Sequence, residues 1–297
     1  MRRIALLPLF VLCLTGSVAG AQTTKPTQTP FVRFVADGRG GGTLDAAITR
    51  YTNDKGVTVD LVGTFHIAEA GYYGTLDARF DDYDAVLYEM VKPEGAPAPN
   101  KGMRGDHPIG RLQVGMQEVL GLAYQLDAID YRRDNFVHAD LTAEEFTRLN
   151  DERGEGMLSL IIRAIANQAG STTRPATIAL PELLQALAAP DRTRQMKLLM
   201  SRQFGDIDTA MALFDGPQGS VLITERNKAA IDVLKKVLHD GEAESIALFY
   251  GAGHMRDLEP RLIELGFKLT QQEWLVAWDM RIEAAPATAP ATRPVDH

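Results

Sequence analysis

The chain has 297 residues, of which 45% are hydrophobic and 24% charged, values typical of a globular protein with ample apolar material for a core. A formal net charge of −8 argues against a nucleic-acid partner, which would favour a basic face. Cys13 is the only cysteine, which excludes an intramolecular disulfide and a cluster of thiolate metal ligands.

The beginning of the chain has the pattern of a signal peptide. Arg2 and Arg3 precede an apolar run over residues 4–14, and Ala19-Gly20-Ala21 is a small-x-small cleavage site. We therefore expect residues 1–21 to be a cleaved signal peptide and the protein to be secreted or periplasmic, with an uncleaved anchor as the alternative. The apolar run is too short to cross a bilayer comfortably, so no stable membrane insertion is expected.

Two further segments are predicted to lie outside the fold, because they bury too little apolar surface. Residues 22–30 are rich in Thr, Pro and Gln and are expected to be a flexible leader. Residues 283–297 are rich in Ala, Pro and Thr and are expected to be a disordered tail. Residues 31–282 remain as a single domain.

The first part of the domain is predicted to consist of strands around one helix. Tyr72, Leu76 and Phe80 have the i, i+4, i+8 spacing of an amphipathic helix. Glycines within residues 38–42 and the Asn53-Asp54-Lys55-Gly56 sequence predict turns. Apolar and alternating runs predict strands at residues 31–36, 44–51, 57–62 and 85–88.

Residues 109–240 are predicted to be mostly helical, after a Gly/Pro-rich loop over residues 92–108. Thr142 and Glu145 have the spacing of a capping box. The other helices expected here lie between Pro181 and Pro190, in a Met/Leu-rich segment over residues 192–214, and over residues 226–238, where Gly241 ends the helix.

The last part of the domain repeats the earlier order of elements. An apolar run at residues 246–250 predicts a buried strand. Leu258 and Leu262 belong to a helical stripe, and Gly266 is placed to end that helix. Two further strands are predicted at residues 267–269 and 274–278.

A Gly-x-x-His motif occurs twice, each time between a predicted strand and a predicted helix. The copies are Gly63-Thr64-Phe65-His66 and Gly251-Ala252-Gly253-His254. Gly63, Gly251 and Gly253 allow sharp turns and a close approach of the backbone to a bound group. The repetition predicts an α/β (mixed α+β) fold, with a central mixed sheet built from two related strand–Gly-x-x-His–helix–strand halves and a helical insertion between them.

The ends of the predicted strands bring candidate site residues to one edge of the sheet. A strand–helix–strand crossover normally places two parallel strands side by side, so His66 and Glu89 would emerge at the same edge. If the second copy joins the sheet in parallel, His254 emerges there too. Two imidazoles and a carboxylate can bind a divalent metal ion such as Zn, Mn or Co and leave room for water.

Each of these residues also has a simpler explanation. A histidine after a strand is usually structural or exposed, and Glu89 could be an exposed carboxylate at a strand end. Arg226 could be an ordinary solvated residue. However, the helix dipole disfavours arginine at a helix start, and an anion or carbonyl partner would explain Arg226 better. Finding two histidines in matching settings favours a shared site.

Several other polar residues stay outside the predicted site. His107 lies in the Gly/Pro-rich loop, and His239 lies at a predicted helix C-terminus. For His138 the sequence leaves open whether the side chain belongs to the site. Three further side chains could hydrogen-bond a metal-ligating residue and orient it: Gln125, Asp127 and Asp130. The polarity of a helix surface explains them more simply.

The chain resembles the TraB/PrgY/GumN family, within the wider group of Tiki proteases, erythromycin esterases and ChaN-type haem-uptake proteins. The resemblance spans most of the domain, although residues 109–224 match no motif. It rests on the ordered set Val62-Gly63-Thr64-Phe65-His66, Tyr88-Glu89, Glu225-Arg226-Asn227, and Gly251-Ala252-Gly253-His254 with Gly266.

The resemblance implies an α/β fold with two related halves and, for Tiki-like members, a metal-dependent peptidase. It makes His66 and His254 metal ligands and Glu89 a ligand or general base. It also makes Arg226 and Asn227 polar contacts to a substrate or intermediate. Kinship of fold alone does not fix the reaction.

Three functions follow from the motifs and the resemblance. We expect an exported metal-dependent hydrolase, foremost a Tiki-like metallopeptidase, acting on a peptide or small-molecule substrate. One alternative is a non-catalytic protein of the same superfamily that binds a peptide or haem. The other alternative is a metal-free esterase in which His66 or His254 is the base.

Overall fold

The computed structural model describes residues 29–101, 119–155, 180–204 and 219–282. The predicted signal peptide, the leader up to residue 28, His107 and the tail all lie outside the described residues, as does the end of the Met/Leu-rich segment. Within the described ranges, no helix has both the length and the apolar composition needed to cross a membrane.

Strands and helices alternate along much of the described chain. The described strands are β1 (Val32–Ala36), β2 (Gly42–Thr52), β3 (Thr58–Thr64), β4 (Ile67–Ala68), β5 (Ala85–Tyr88), β6 (Ala123–Tyr124), β7 (Phe136–His138), β8 (Ser245–Gly251) and β9 (Lys268–Asp279). The described α-helices are α1 (Ala70–Arg79), α2 (Gln125–Ala128), α3 (Ala143–Arg153), α4 (Leu180–Ala188), α5 (Arg192–Phe204), α6 (Arg226–Asp240) and α7 (Met255–Glu264).

The larger sheet is mixed, which confirms the predicted α/β class. Its strand order is β1-β2-β3-β8-β5-β7, and β9 pairs with β2. β2 pairs antiparallel with β1, β3 and β9, whereas β3, β8, β5 and β7 are parallel to their neighbours. The parallel half therefore brings the C-terminal ends of four strands to one edge.

The crossover prediction is wrong in one respect, because β8 lies between β3 and β5. Leu248 pairs with Leu61 of β3 on one side and with Leu87 of β5 on the other. A continuous apolar run such as that of β8 is most stable where both faces are covered and both edges are paired. As a result, β3 and β5 are two strand spacings apart, about 10 Å, rather than adjacent.

The second strand–Gly-x-x-His–helix–strand unit differs from the first in where its last strand goes. β5 follows α1 and joins the parallel half of the sheet, whereas β9 follows α7 and pairs antiparallel with β2. The two histidines differ as well, since His66 is exposed and His254 is buried. The two halves share an order of elements but not a set of strand neighbours.

Three predicted elements take a different form. β9 is one continuous strand rather than two, because it pairs with almost the whole length of β2. The alternating run over residues 44–51 is part of β2, which is longer than predicted and is buried at most positions on both faces. The predicted helical middle contains β7, whose three residues are too few to leave a strand period in the sequence.

Helices cover both faces of the sheet. α1 packs Tyr72 and Leu76 into one buried cluster, and Phe80, just after α1, joins it as its spacing predicts. α6 and α7 pack Leu234 and Leu258 into a second cluster on the opposite face. Side chains of β8 alternate between these clusters, which explains why the run carries no polar positions.

The predicted helix ends are confirmed where they are described. Thr142 and Glu145 form both hydrogen bonds of a capping box at the start of α3. Gly241 has φ 71° just after α6 and Gly266 has φ 88° after α7, a left-handed conformation that other residues adopt only at a cost.

Candidate active site

The candidate site lies at the edge where β3, β8 and β5 end. Thr64 pairs with Gly251 at the end of β3 and β8, and Tyr88 pairs with Phe249 at the end of β5. Glu89 is the next residue after β5, so its side chain starts beside the C-terminal end of β8. Open α/β sheets place their ligands at such an edge.

Glu89 is the centre of this site. Its Oε1 accepts a hydrogen bond from Arg226 Nη2 at 2.7 Å, and its Oε2 accepts one from the backbone N–H of Gly251 at 2.6 Å. Oε1 is also 3.5 Å from His254 Nε2. Burial alone would raise the pKa of Glu89, but the positive charges of His254 and Arg226 outweigh it and hold the pKa well below its ordinary value.

Gly251 lets the Glu89 carboxylate come close to the backbone, and its own backbone conformation is an ordinary one. Its φ of −52° is open to any residue. A Cβ at this position would lie only 3.3 Å from Glu89 Oε2 and 3.7 Å from His254 Cδ2. Gly63 is packed by Met255, whose Cγ would lie 3.4 Å from an added Cβ, and Gly253 lies in the 3₁₀ turn Ala252–His254.

Asn227 determines which nitrogen of His254 faces Glu89. Asn227 Nδ2 donates to the carbonyl oxygen of His254 at 3.1 Å and to Asp257 Oδ2 at 2.9 Å. Its Oδ1 is therefore the atom that lies 2.7 Å from His254 Nδ1, and an amide oxygen can only accept. Nδ1 must carry a proton, which leaves Nε2 directed at the carboxylate of Glu89.

The arrangement gives Asn227 a different role from the substrate contact that the resemblance implies. Asn227 is fully buried, and it holds His254 from behind. A five-residue π-helical turn, Val221–Glu225, immediately precedes α6. Arg226 and Asn227 are the first two residues of α6. Short π-helical segments occur frequently at functional sites.

Arg226 finds its anionic partners within the protein itself. Asp140 accepts two hydrogen bonds from it, with Nε–Oδ1 at 3.0 Å and Nη2–Oδ2 at 2.6 Å, in addition to the bond to Glu89. Burial opposes the positive charge, but the two carboxylates raise the pKa of Arg226 above its ordinary value. The unfavourable position at a helix start is thus compensated by Glu89 and Asp140.

Asp140 is a residue of this site that the sequence reasoning missed. Its side chain is completely buried. The available signal was its position, because Asp140 follows the end of β7 as Glu89 follows the end of β5. Recognising it required knowing that residues 136–138 form a strand. With one arginine between two carboxylates, a positive charge at His254, either a proton or a metal ion, balances the network.

His66 reaches the site from the far side of β8. Its side chain is exposed, and its backbone is fixed because the carbonyl oxygen of His66 accepts from the N–H of Gln125 at 2.9 Å. Ile67 of β4 pairs with Tyr124 of β6 in the same small sheet. This sheet lays residues 123–131 across the edge of the main sheet.

A cavity of about 190 Å³ opens between these elements. Gln125 is 7% exposed, so the simpler explanation of surface polarity is wrong for this residue, and its Nε2 donates to Tyr131 Oη at 2.8 Å. The cavity is lined by His66, Glu89, Met90, Val91, Tyr124, Gln125, Leu126, Tyr131 and Arg226.

His254 and Glu89 fit a shared divalent cation. Two ligands of one tetrahedral ion lie about 3.4 Å apart for bonds of roughly 2.1 Å, and the observed Nε2–Oε1 separation is 3.5 Å. In the described part of the chain, no three His, Cys, Asp or Glu side chains are grouped closely enough to hold a metal ion. The structure brings two of the three predicted ligands together and places His66 on the same cavity.

The other predicted polar residues lie apart from this pair. His138 Nε2 is 2.6 Å from the carbonyl oxygen of Met90, which makes it a structural contact beside β5. His239 is exposed near the end of α6. The N–H of Asp130 donates to Asp77 Oδ1, so Asp130 joins a network at α1 rather than the site.

Comparison of the chain with protein-family models, with curated proteins and with solved structures finds no significant match. The functional argument therefore depends on the geometry of the site.

Proposed function

We propose that this protein is an exported metal-dependent hydrolase of the Tiki-like peptidase type, in which His254, Glu89 and His66 hold a divalent cation such as Zn, Mn or Co. A bound cation of this kind supplies a Lewis acid that polarises a carbonyl and lowers the pKa of water. The observation that carries the proposal is the 3.5 Å separation of His254 Nε2 and Glu89 Oε1.

That separation calls for a positive charge between the two atoms. Asn227 fixes the proton of His254 on Nδ1, so an imidazole lone pair and a carboxylate oxygen face each other unless Nε2 is also protonated. A cation shared by both atoms satisfies both at once. His66 lines the cavity beside Glu89, and the proposal takes it as the third ligand.

Glu89 acts as a ligand rather than as a proton carrier in this proposal. Both of its oxygens are already engaged, one by Arg226 and the other by the N–H of Gly251. Arg226, fixed by Asp140, keeps this carboxylate in place.

The first test is the metal content of the protein by elemental mass spectrometry after reconstitution with Zn, Mn or Co. We expect about one ion per chain in the wild type, and a strong loss in His254→Ala and in His66→Ala. His239→Ala is the matched control, because His239 is exposed on α6 away from the cavity. Absence of bound metal in the reconstituted wild type overturns the proposal.

The second test separates the hydrolase from its rivals. We expect the wild type to cleave members of a peptide library and to lose that activity on exhaustive chelation. Ester hydrolysis that survives chelation but is lost in His254→Ala would instead indicate the metal-free esterase.

A further inference from the structure

We infer that the cavity beside Glu89 is a binding subsite for one apolar side chain of a peptide substrate, adjacent to the bond that is cut. The inference rests on the proposed function, since it assumes that the reacting carbonyl lies at Glu89 and His254. It adds a substrate class to that function, namely peptides with a medium-sized apolar residue at one defined position.

The lining divides into a charged floor and an apolar wall. Glu89 and Arg226 form the floor, and both side chains remain slightly exposed, at 11% and 9%. The wall is formed by Met90, Val91, Tyr124, Leu126 and Tyr131, and His66 and Gln125 add polar groups to the lining. A substrate carbonyl at the floor therefore carries its neighbouring side chain into a partly apolar environment.

The size of the cavity suits a single side chain. Its volume is about 190 Å³. That space suits a Leu, Met or Phe side chain. Whole drug-sized ligands need about 300 Å³ or more.

The wall is held rigidly, as a specificity subsite requires. Tyr131 accepts a hydrogen bond from Gln125 Nε2, and its ring meets that of Tyr88 edge-on with centroids 5.2 Å apart. The ring also stacks near that of Phe249, with centroids 6.2 Å apart. These contacts hold the ring in place before any substrate arrives.

Desolvation disfavours an acidic side chain in the subsite. Arg226 already pairs with both Glu89 and Asp140, so it offers little attraction to a further carboxylate. A substrate Asp would lose its hydration against the apolar side chains of the wall, which is unfavourable. Leu and Asp at the same substrate position are therefore the most informative pair.

The test uses fluorogenic peptides that are identical except at one position, which is Leu, Phe, Ala or Asp, with each position beside the cleaved bond varied in turn. For one of these positions we expect kcat/KM to be at least about tenfold higher for Leu than for Ala, the usual range for apolar contacts in a subsite. Asp should be the poorest substrate. Equal rates for Leu, Ala and Asp at every position overturn the inference.

A wall variant makes the assignment specific to this cavity. Leu126→Asn should reduce the Leu-over-Ala preference several-fold, and Leu126→Ala should shift the preference toward Phe. Leu187→Ala is the matched control, because Leu187 is 45% exposed on α4 and does not line the cavity. Circular dichroism melting verifies that each variant is folded, and an unchanged preference in both folded Leu126 variants contradicts the inference.

Binding distinguishes failure of the subsite from failure of the proposed function. Titration calorimetry of the metal-free protein with the Leu and Asp peptides measures the subsite without any cleavage. A preference for the Leu peptide that Leu126→Asn removes, without hydrolysis of any peptide by the metal-loaded protein, supports the subsite and counts against the hydrolase. Hydrolysis with equal binding of both peptides contradicts the subsite alone.

Discussion

A single buried amide, that of Asn227, holds His254 at two points and is itself held by Asp257. It contacts the ring nitrogen Nδ1, the carbonyl oxygen of the same histidine, and the carboxylate of Asp257. A residue that hydrogen-bonds a metal-ligating histidine sets the tautomer and the orientation of its imidazole without contacting the bound group itself. The consequence can be tested without knowing the substrate.

We predict that Asn227→Ala weakens metal binding by roughly 10- to 100-fold, because His254 loses the partner of Nδ1. It should also lower the free energy of unfolding by about 1–3 kcal/mol, since buried groups lose their hydrogen bonds. Competitive metal titration and urea unfolding measure the two effects. Asn135→Ala is the control: Asn135 Nδ2 holds two backbone carbonyls far from the site, so stability should fall while metal affinity stays.

We predict that Gly251→Ala damages the site but not the fold. Its backbone angles suit alanine, but the new Cβ would lie 3.3 Å from Glu89 Oε2, which the N–H of the same residue holds in place. The carboxylate must move, so metal affinity should fall at least about tenfold by loss of ligand geometry. Competitive metal titration again provides the readout.

The matched control for Gly251→Ala is Gly74→Ala in α1. An added Cβ at Gly74 meets nothing within 4 Å. Alanine in a helix interior should therefore raise the free energy of unfolding by roughly 0.5–1 kcal/mol without changing metal affinity. A Gly251→Ala protein that binds metal as tightly as Gly74→Ala would contradict the role given to Gly251.

At the scale of elements, Asp77 joins α1 to the segment that carries Tyr131. Asp77 Oδ1 accepts from Arg133 Nη1 at 2.7 Å and from the N–H of Asp130 at 2.9 Å. Burial would raise the pKa of Asp77, but these hydrogen bonds lower it to about 2 from an ordinary value of 3.8. The cavity wall is thereby anchored to α1.

The lowered pKa predicts the pH dependence of this anchor. A carboxyl whose pKa is depressed by folding stabilises the protein above its unfolded pKa, and the stabilisation is lost as the pH falls from about 4 to about 2. Asp77→Asn should therefore lower the free energy of unfolding by about 1–2 kcal/mol at pH 7, allowing for partial solvent screening. The difference from the wild type should shrink at pH 3, as measured by urea unfolding.

A surface pair provides the comparison for Asp77. Asp54 bonds Lys268 Nζ at 2.8 Å, but both side chains are largely exposed. Asp54→Asn should produce no measurable change, because exposed ion pairs are screened by water and salt. An Asp77→Asn effect as small as that of Asp54→Asn, or one that persists undiminished at pH 3, would contradict the anchor.

The strands and helices that have a strong local period were predictable, and those defined by distant partners were not. The alternation over residues 57–62 predicts β3, the apolar run over residues 246–250 predicts β8, and the stripe at Tyr72 and Leu76 predicts α1. β7 and the single long β9 could not be predicted, because β7 is three residues long and β9 is defined by pairing along β2. Pairing between distant segments leaves little trace in either segment.

The candidate site divides in the same way. The motif and the strand ends predict that Glu89 and His254 converge, and the structure brings them to 3.5 Å. Asp140 and the wall residue Tyr131 were missed because both depend on where β7 and the small β4–β6 sheet lie. The contact of His66 with the other ligands stays a prediction, because β8 separates its strand from that of Glu89.

At the scale of the whole molecule, the proposed metal site joins three strands, and binding should therefore stabilise the entire fold. Ligation of the native state alone adds about 2.7 kcal/mol at a free metal concentration 100 times Kd. For a domain of this size, that should raise Tm by roughly 5–10 °C. Differential scanning calorimetry with Zn, Mn or Co against a chelator measures the shift.

The stabilisation has two internal controls. His254→Ala should show no rise in Tm with the same metals. Mg²⁺ should also have little effect on the wild type, because it prefers oxygen ligands over imidazole. A rise in Tm of equal size in His254→Ala would mean that the metals bind elsewhere.

The position of β8 has a consequence for the order in which the protein is made. β3 and β5 leave the ribosome early with a gap of one strand between them, and the strand that fills the gap is synthesised 162 residues after Glu89. At 5–20 residues per second this delay is roughly 8 to 32 seconds. Glu89 lacks Gly251 and His254 throughout that time and Arg226 for most of it, and the facing edges of β3 and β5 are free to pair wrongly. Any activity of this site is therefore latent in every nascent or prematurely terminated chain, and it begins only when the C-terminal part of the protein has been inserted.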